Sequence, residues 1–275
     1  MFIRKDFNEV LMNILIVNDD GIEGEGLIAL AGALAGKHHV TVVAPESERS
    51  AAGHSYTFNH PLGLKKVNKP GFEGTEAYIT NGTPCDCVIL GLQIVTKGNV
   101  DLILSGINVG SNLGTDTIAS GTVQAAMEGC MRGYPALAVS QEIQKLVSFG
   151  RHSNYFSHAA AVTAGLLENL DYKQIHNYML SINFPYADKS EIKGVKVCPL
   201  GISKNNFSYK PQKDFVGREH YWIDVERIPN DYNQQNGTDV KWIDERYITI
   251  TPLYPNLTEL NRMSAVQDMV DLHWK

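Results

Sequence analysis

Short apolar runs stopped by polar or glycine residues alternate with stretches of helical apolar spacing over the first two thirds of the chain. The run Ile14-Leu15-Ile16-Val17 predicts a strand over 13–18, buried on both faces. Leu27, Ile28, Leu30, Ala31 and Leu34 predict a helix over 26–36. The same rhythm predicts strands over 40–44, 77–80, 101–105, 136–140 and 178–184, and helices over 84–95, 122–131 and 154–170. Such alternation predicts an α/β fold: a Rossmann-like, mostly parallel sheet with helices on both faces. That architecture takes ligands at the carboxyl ends of its strands.

From about Gly194 the texture changes. Helix signals fade, and Phe207, Tyr209, Phe215, Tyr221, Trp222 and Trp242 mix with polar residues. Residues 220–225 and 247–251 have strand composition, 230–238 reads as a hairpin loop, and 255–270 as a terminal helix. The expected organisation is an N-terminal extension (1–11), an α/β core (12–193), and a C-terminal hairpin, strand and helix extension (194–275). A hairpin with so little core of its own must pack on the first part or on another subunit.

Composition narrows the class. The 275 residues are 43% hydrophobic and 20% charged, with a formal charge of -6. No Lys/Arg block is present to track a phosphate backbone, so a nucleic-acid polymer is not expected as partner. Residues 1–12 carry Arg4, Lys5, Asp6 and Glu9 and lack the apolar stretch of a secretory signal; residues 1–11 read as an appended tail or a choice of start site. No run reaches the roughly 20 apolar residues of a membrane span, and the expected location is cytoplasmic. Cys85, Cys87, Cys130 and Cys198 fit no redox or zinc spacing and read as structural thiols.

Chemistry concentrates in three loops at strand ends. The first is Asn18-Asp19-Asp20-Gly21. Adjacent carboxylates at the mouth of a buried strand repel, and a hard divalent cation is the simplest group that keeps both ionised. Taken alone, the tripeptide fits a solvated turn and helix cap equally well. The second loop holds Glu46, Glu48, Arg49, Ser50 and His54; the third runs from Ser105 through Asn108 and Asn112 to Ser120-Gly121-Thr122. The third loop's glycines and helix N-terminus suit a phosphate, although Ser120 alone fits an ordinary N-cap better. His54 is open between a general acid and a histidine bonded to a nearby backbone group, and Arg49 between a phosphate ligand and a partner of Glu46 or Glu48. The run from Gly21 to Gly26 has the order GxxGxG, not the GxGxxG of a dinucleotide site.

Together these residues resemble the SurE survival-protein family. The resemblance rests on Asn18-Asp19-Asp20-Gly21, Val43-Ala44-Pro45 with Glu48-Arg49-Ser50, Gly82-Thr83-Pro84 with Asp86-Cys87-Val88, and Ser105-Gly106-Ile107-Asn108. It continues through Gly110, Asn112, Gly114, Asp116, Ser120-Gly121-Thr122-Val123 and Glu128-Gly129. It implies a metal-dependent phosphatase acting on nucleoside 5′- and 3′-monophosphates, with some exopolyphosphatase activity. It also implies one divalent cation per subunit, Mg²⁺ or Mn²⁺, on Asp19, Asp20, Ser50 and Asn108. A homodimer or homotetramer formed through the C-terminal extension follows from it too.

The expected mechanism is hydrolysis of a phosphomonoester, with Asp19 orienting or deprotonating the water and Asn112, Ser120, Gly121 and Thr122 holding phosphoryl oxygens. Direct attack by Asp19 is the competing version. A haloacid-dehalogenase-like phosphotransferase would want Asp-x-Asp and a lysine, whereas these aspartates are adjacent and the three loops hold no lysine. A nucleotide-binding oligomer without catalysis is the alternative from another class.

Overall fold

The computed structural model describes residues 11–143, 153–203, 205–227 and 236–271. The N-terminal extension, apart from Leu11, and most of the loop expected at 230–238 lie outside the described residues. The chain opens on β1 (Asn13–Val17), α1 (Glu25–Leu34) and β2 (His39–Pro45). It continues through β3 (Leu64–Val67), β4 (Glu76–Thr80), α2 (Pro84–Leu90), β5 (Leu102–Val109) and α3 (Gly121–Met131). Then come β6 (Ala136–Gln141), α4 (Ser153–Asn169) and β7 (Met179–Phe184). The last third adds β8 (Val195–Val197), β9 (Asn205–Lys213), β10 (Glu219–Arg227), α5 (Asp239–Asp244), β11 (Ile248–Leu253) and α6 (Met263–Asp271).

Nine strands form one sheet in the order β3-β4-β2-β1-β5-β6-β7-β11-β8. The six from β4 to β7 run parallel. At the edges β3 pairs antiparallel with β4, and β11 pairs antiparallel with β7 and parallel with β8. The order grows outward from β1 in both directions. The chain therefore changes direction at the β1/β5 boundary, where a sheet of this kind leaves a crevice.

Alternation along β1 builds both layers of the core. Ile14 and Ile16 join the cluster of Leu27, Leu30, Leu104 and Phe156, under α1 and α4. Leu15 and Val17 join Val88, Ile103, Val123 and Ala126, under α2 and α3. Successive strand side chains point to opposite faces, so a strand covered on both sides must be apolar throughout. α2 starts sharply because Thr83 and Asp86 form a reciprocal capping box with Pro84 in the first turn.

Several expectations need correction. The strand expected to stop at Ser105 runs on to Val109, through a register shift between Ser105 and Asn108. Gly106 permits this: a Cβ there would sit 2.2 Å from the Val139 carbonyl oxygen. β3 was not expected; as a short edge strand it tolerates Lys65 and Lys66. The helix expected over 84–95 is α-helical to Leu90 and finishes in a wider π-type turn, Gly91–Val95. A hairpin that was not expected turns at Asp214–Gly217, where the Asp214 carboxylate accepts from the Val216 and Arg218 N–H groups, both at 2.9 Å. Helix does occur beyond 194, in α5, and the terminal helix begins at Met263, later than expected. β8 and β11 place the main sheet across the 193/194 boundary. Among the described residues no helix is long and apolar enough to cross a membrane.

Candidate active site

The carboxyl ends of β1, β2 and β5 bring the three loops together. Asp19 follows β1 directly and is only 3% exposed. The Thr122 hydroxyl donates to its Oδ1 and the Thr122 N–H to its Oδ2, the latter at 3.1 Å. Its own carbonyl oxygen accepts from the Arg49 N–H at 2.7 Å, which places Ser50 one residue away. Asp20 Oδ2 accepts from the Val109 N–H at 3.2 Å, which places Asn108 beside it across the β1/β5 crevice. Gly121 lets α3 approach this close, because a Cβ there would lie 2.8 Å from Asp19 Oδ2. The four residues expected to hold a cation thus surround one strand end.

Electrostatics show what the pair lacks. Burial raises the pKa of Asp19, and the Thr122 bonds offset only part of that rise. Burial and then the neighbouring Asp19 charge push Asp20 up to about 7. No lysine, arginine or histidine among the described residues appears as a partner of either. A third observation agrees: Asn18 Nδ2 bonds the Gly21 carbonyl oxygen at 2.8 Å, while Asn18 Oδ1 is buried without a partner. Oxygen donors with a shortage of positive charge suit a hard divalent ion. No group of three His, Cys, Asp or Glu side chains converges among the described residues. Asn108 donates its Nδ2 to the Gly110 carbonyl oxygen at 2.8 Å, which orients its amide. Ser50 is exposed and donates to Glu48 Oε1 at 2.6 Å.

The residues expected to hold phosphate are placed unevenly. Asn112 Nδ2 donates to Ser140 Oγ at 2.8 Å, and Asn112 also exchanges bonds with the Asn183 amide, so it braces the loop from below. Ser120 caps α3 by accepting from the Val123 N–H at 3.1 Å. Both Thr122 donors are directed at Asp19, not at the solvent side where phosphate would sit. The first turn of α3 therefore already faces one anion, the Asp19 carboxylate.

A model of the family described as Survival protein SurE matches residues 14–206. The chain belongs to the SurE family. It is 40% identical over 261 residues to a 5'-nucleotidase SurE of Clostridium botulinum (strain Langeland), covering 94% of this chain and 99% of that one. A 5'-nucleotidase SurE of Thermosipho melanesiensis is 38% identical, covering 94% and 97%. The crystal structure of a SurE protein from Aquifex aeolicus superposes with a TM-score of 0.73 at 33% identity, covering 94% of this chain and 99% of that one.

Two features of this SurE chain were not foreseen. His54 has definite partners: Glu128 Oε2 at 2.8 Å and the Tyr56 hydroxyl at 3.0 Å from Nε2, and Gln124 Oε1 at 3.1 Å from Nδ1. Both ring nitrogens are engaged, which disfavours a general acid donating to a leaving group. Arg49 Nη2 donates to the Asn81 carbonyl oxygen at 3.1 Å and, among the described residues, forms no ion pair with Glu46 or Glu48. Second, the buried Asp239 accepts from the N–H groups of Gly114 at 2.8 Å and Gly201 at 2.6 Å, fastening the glycine-rich loop to the base of the C-terminal arm. His54 and Glu128 lie 74 positions apart. The one local signal was a glutamate four residues before Arg132 on a helix rich in alanine. The four cysteines are buried, and burial pushes the Cys85 thiol up to about 12, in keeping with structural thiols.

Proposed function

We propose that this SurE-family chain is a phosphomonoesterase that hydrolyses nucleoside 5′- and 3′-monophosphates to nucleoside and phosphate, with some action on polyphosphate. The bond from the Val109 N–H to Asp20 carries this reading, because it joins the β1 and β5 ends and so gathers Asp19, Asp20 and Asn108 at the crevice. Asp19, Asp20, Ser50 and Asn108 hold one divalent cation, Mg²⁺ or Mn²⁺. When bound, that ion supplies positive charge to the phosphoryl group and acidifies a water. Asp19, held from behind by Thr122, orients or deprotonates the attacking water. The Ser120 hydroxyl hydrogen and the Gly121 N–H, one of the donors a helix leaves unpaired in its first turn, receive phosphoryl oxygens. Thr122 contributes through Asp19 and Asn112 through the shape of the loop.

The C-terminal arm supports a homodimer or homotetramer in the cytoplasm. Phe215 is 97% exposed and Trp222 67%, and Tyr209, Tyr221 and Ile223 are exposed beside them. Met263, Val266, Met269 and Val270 add an exposed apolar stripe on α6, which buries none of its residues. Apolar surface on this scale needs a cover, and a second copy supplies the same residues in return.

The test is phosphate release from nucleoside monophosphates and polyphosphate with Mn²⁺, with Mg²⁺ and with chelator. Release that needs the metal and fails in Asp19→Asn is expected. Nucleotide binding without release would favour the non-catalytic oligomer. Trapped aspartyl-phosphate would favour direct attack by Asp19.

A further inference from the structure

The His54 cluster lies outside the ligand set, yet it binds the loop that carries Ser50. Gln124 Nε2 donates to the Thr117 carbonyl oxygen at 2.9 Å, so its Oε1 faces His54 and must accept. His54 Nδ1 therefore carries a hydrogen. Glu128 is 2% exposed and its carboxylate takes three donors: Arg132 Nε on Oε1, and the Tyr56 hydroxyl at 2.7 Å and His54 Nε2 on Oε2. His54 Nε2 therefore carries a hydrogen too. A ring that donates from both nitrogens is an imidazolium. One residue earlier, the Gly53 N–H donates to the Ala119 carbonyl oxygen at 3.0 Å, immediately before Ser120. The loop is thus docked at two adjacent points, on the residue before the α3 N-cap and on the α3 side chains Gln124 and Glu128.

We propose that His54 is a positioning residue for the phosphoryl-transfer site: as a cation bonded at both nitrogens, it pins the loop bearing Ser50 to α3 and frees that loop when it loses its proton. The role assigned to Ser50 rests on the preceding reading; the clamp itself does not. Of the groups around His54, Glu128 and Gln124 favour the charged form, and the positive charge of Arg132 lies on the far side of Glu128. From α3 come Glu128 and, behind it, Arg132; from its own loop comes Tyr56; from α2 come the Cys85 thiol and the Asp86 carboxylate, which accepts from the Thr57 N–H at 3.2 Å. The bond to Glu128 raises the pKa of His54 above 6.5, and burial opposes the rise only in part. Glu128 is held down at about 2, and burial and Glu128 push Tyr56 up to about 12. His54, raised from 6.5, therefore titrates between Glu128 at about 2 and Tyr56 at about 12.

The sign follows directly. A histidine with a raised folded pKa lends stability that is complete below its unfolded value and is lost as pH rises through the folded value. Loop docking should weaken on the alkaline side.

The experiment is nitrogen-15 NMR of the full chain, titrated from about pH 5 to about pH 10 across the histidine range. The expected result is that both His54 nitrogens stay protonated above the ordinary 6.5. Hydrogen-exchange protection of the Gly53 N–H should then fall through the same transition. Glu128→Gln should lower that transition and weaken Mn²⁺ binding roughly 10- to 100-fold, as loss of an outer partner does. A His54 nitrogen bare at or below pH 6.5 would overturn the proposal. So would Gly53 protection that ignores the His54 titration. If the wild type binds no Mn²⁺, the metal reading fails while the two pH transitions still judge the clamp. If Glu128→Gln does not fold, the wild-type titration decides alone.

Discussion

Two buried carboxylate centres lie against α3, and they are supplied with charge in opposite ways. Glu128 is surrounded by His54, Tyr56 and Arg132, and its pKa falls to about 2. Asp19 and Asp20 meet hydroxyl and amide donors and each other, and both pKa values rise. Where the fold needs a carboxylate for structure, it brings its own cation. At the strand end it leaves the charge unmet, and an ion from solution can complete the site. The same contrast separates the proposed clamp from the proposed catalytic centre.

Changing one carboxylate at each centre should give opposite results. Asp19→Asn should lower metal-dependent phosphate release by roughly 10²- to 10⁴-fold, the size expected for a proton-handling group. The metal-free protein should nonetheless lose far less stability than activity, because the one Thr122 bond forfeited is offset by the loss of a repulsive buried charge. Equal losses of activity and of metal-free stability would erase the distinction. Glu128→Gln should destabilise the protein by about 2–3 kcal/mol, the scale for hydrogen bonds to charged groups. Chemical denaturation checks this, and a neutral result would show that His54 and Arg132 find other partners. Its acid dependence has a definite sign: the stability Glu128 lends is present above 4.5 and is lost as pH falls through about 2.

The aspartate pair should respond the other way to pH. With a folded pKa of about 7, metal-free Asp20 binds a proton that the unfolded chain releases near 3.8. Its contribution to stability falls as pH rises between those values. Compared with Asp20→Asn, the metal-free wild type should therefore lose ground towards neutrality, and Mn²⁺ should restore it. The smallest effect is at the helix cap: Ser120→Ala should cost about 1 kcal/mol in folding. It should also raise KM for the nucleotide, whereas a change in stability alone would reduce Ser120 to its capping role.

The parts of this centre that were legible in the sequence are those set by local pattern. The apolar run of β1 announces a strand covered on both faces, and Asp19-Asp20 stands out because its charges follow that run. Ser120 announces a cap through side-chain preference. The rest depends on pairs far apart in the chain. Thr122 was expected to face phosphate, but its partner Asp19 is 103 positions away and only the packing of α3 on β1 reveals it. β5 was expected to end at Ser105 because Gly106 breaks the apolar pattern; an irregular register carries it past Asn108 to Val109 instead. His54 had no visible partner because Glu128 looks like an ordinary polar helix residue until the loop folds over it.

The most direct test of the unmet charge is calorimetry of Mn²⁺ binding near neutral pH in buffers of different ionisation enthalpy. Binding to the wild type should release on the order of one proton per ion, since the ligand oxygens must ionise. Release should shrink and affinity should drop in Asp20→Asn. Mn²⁺ binding with no proton release, or with equal affinity in Asp20→Asn, would contradict the assignment of this pair as a metal site.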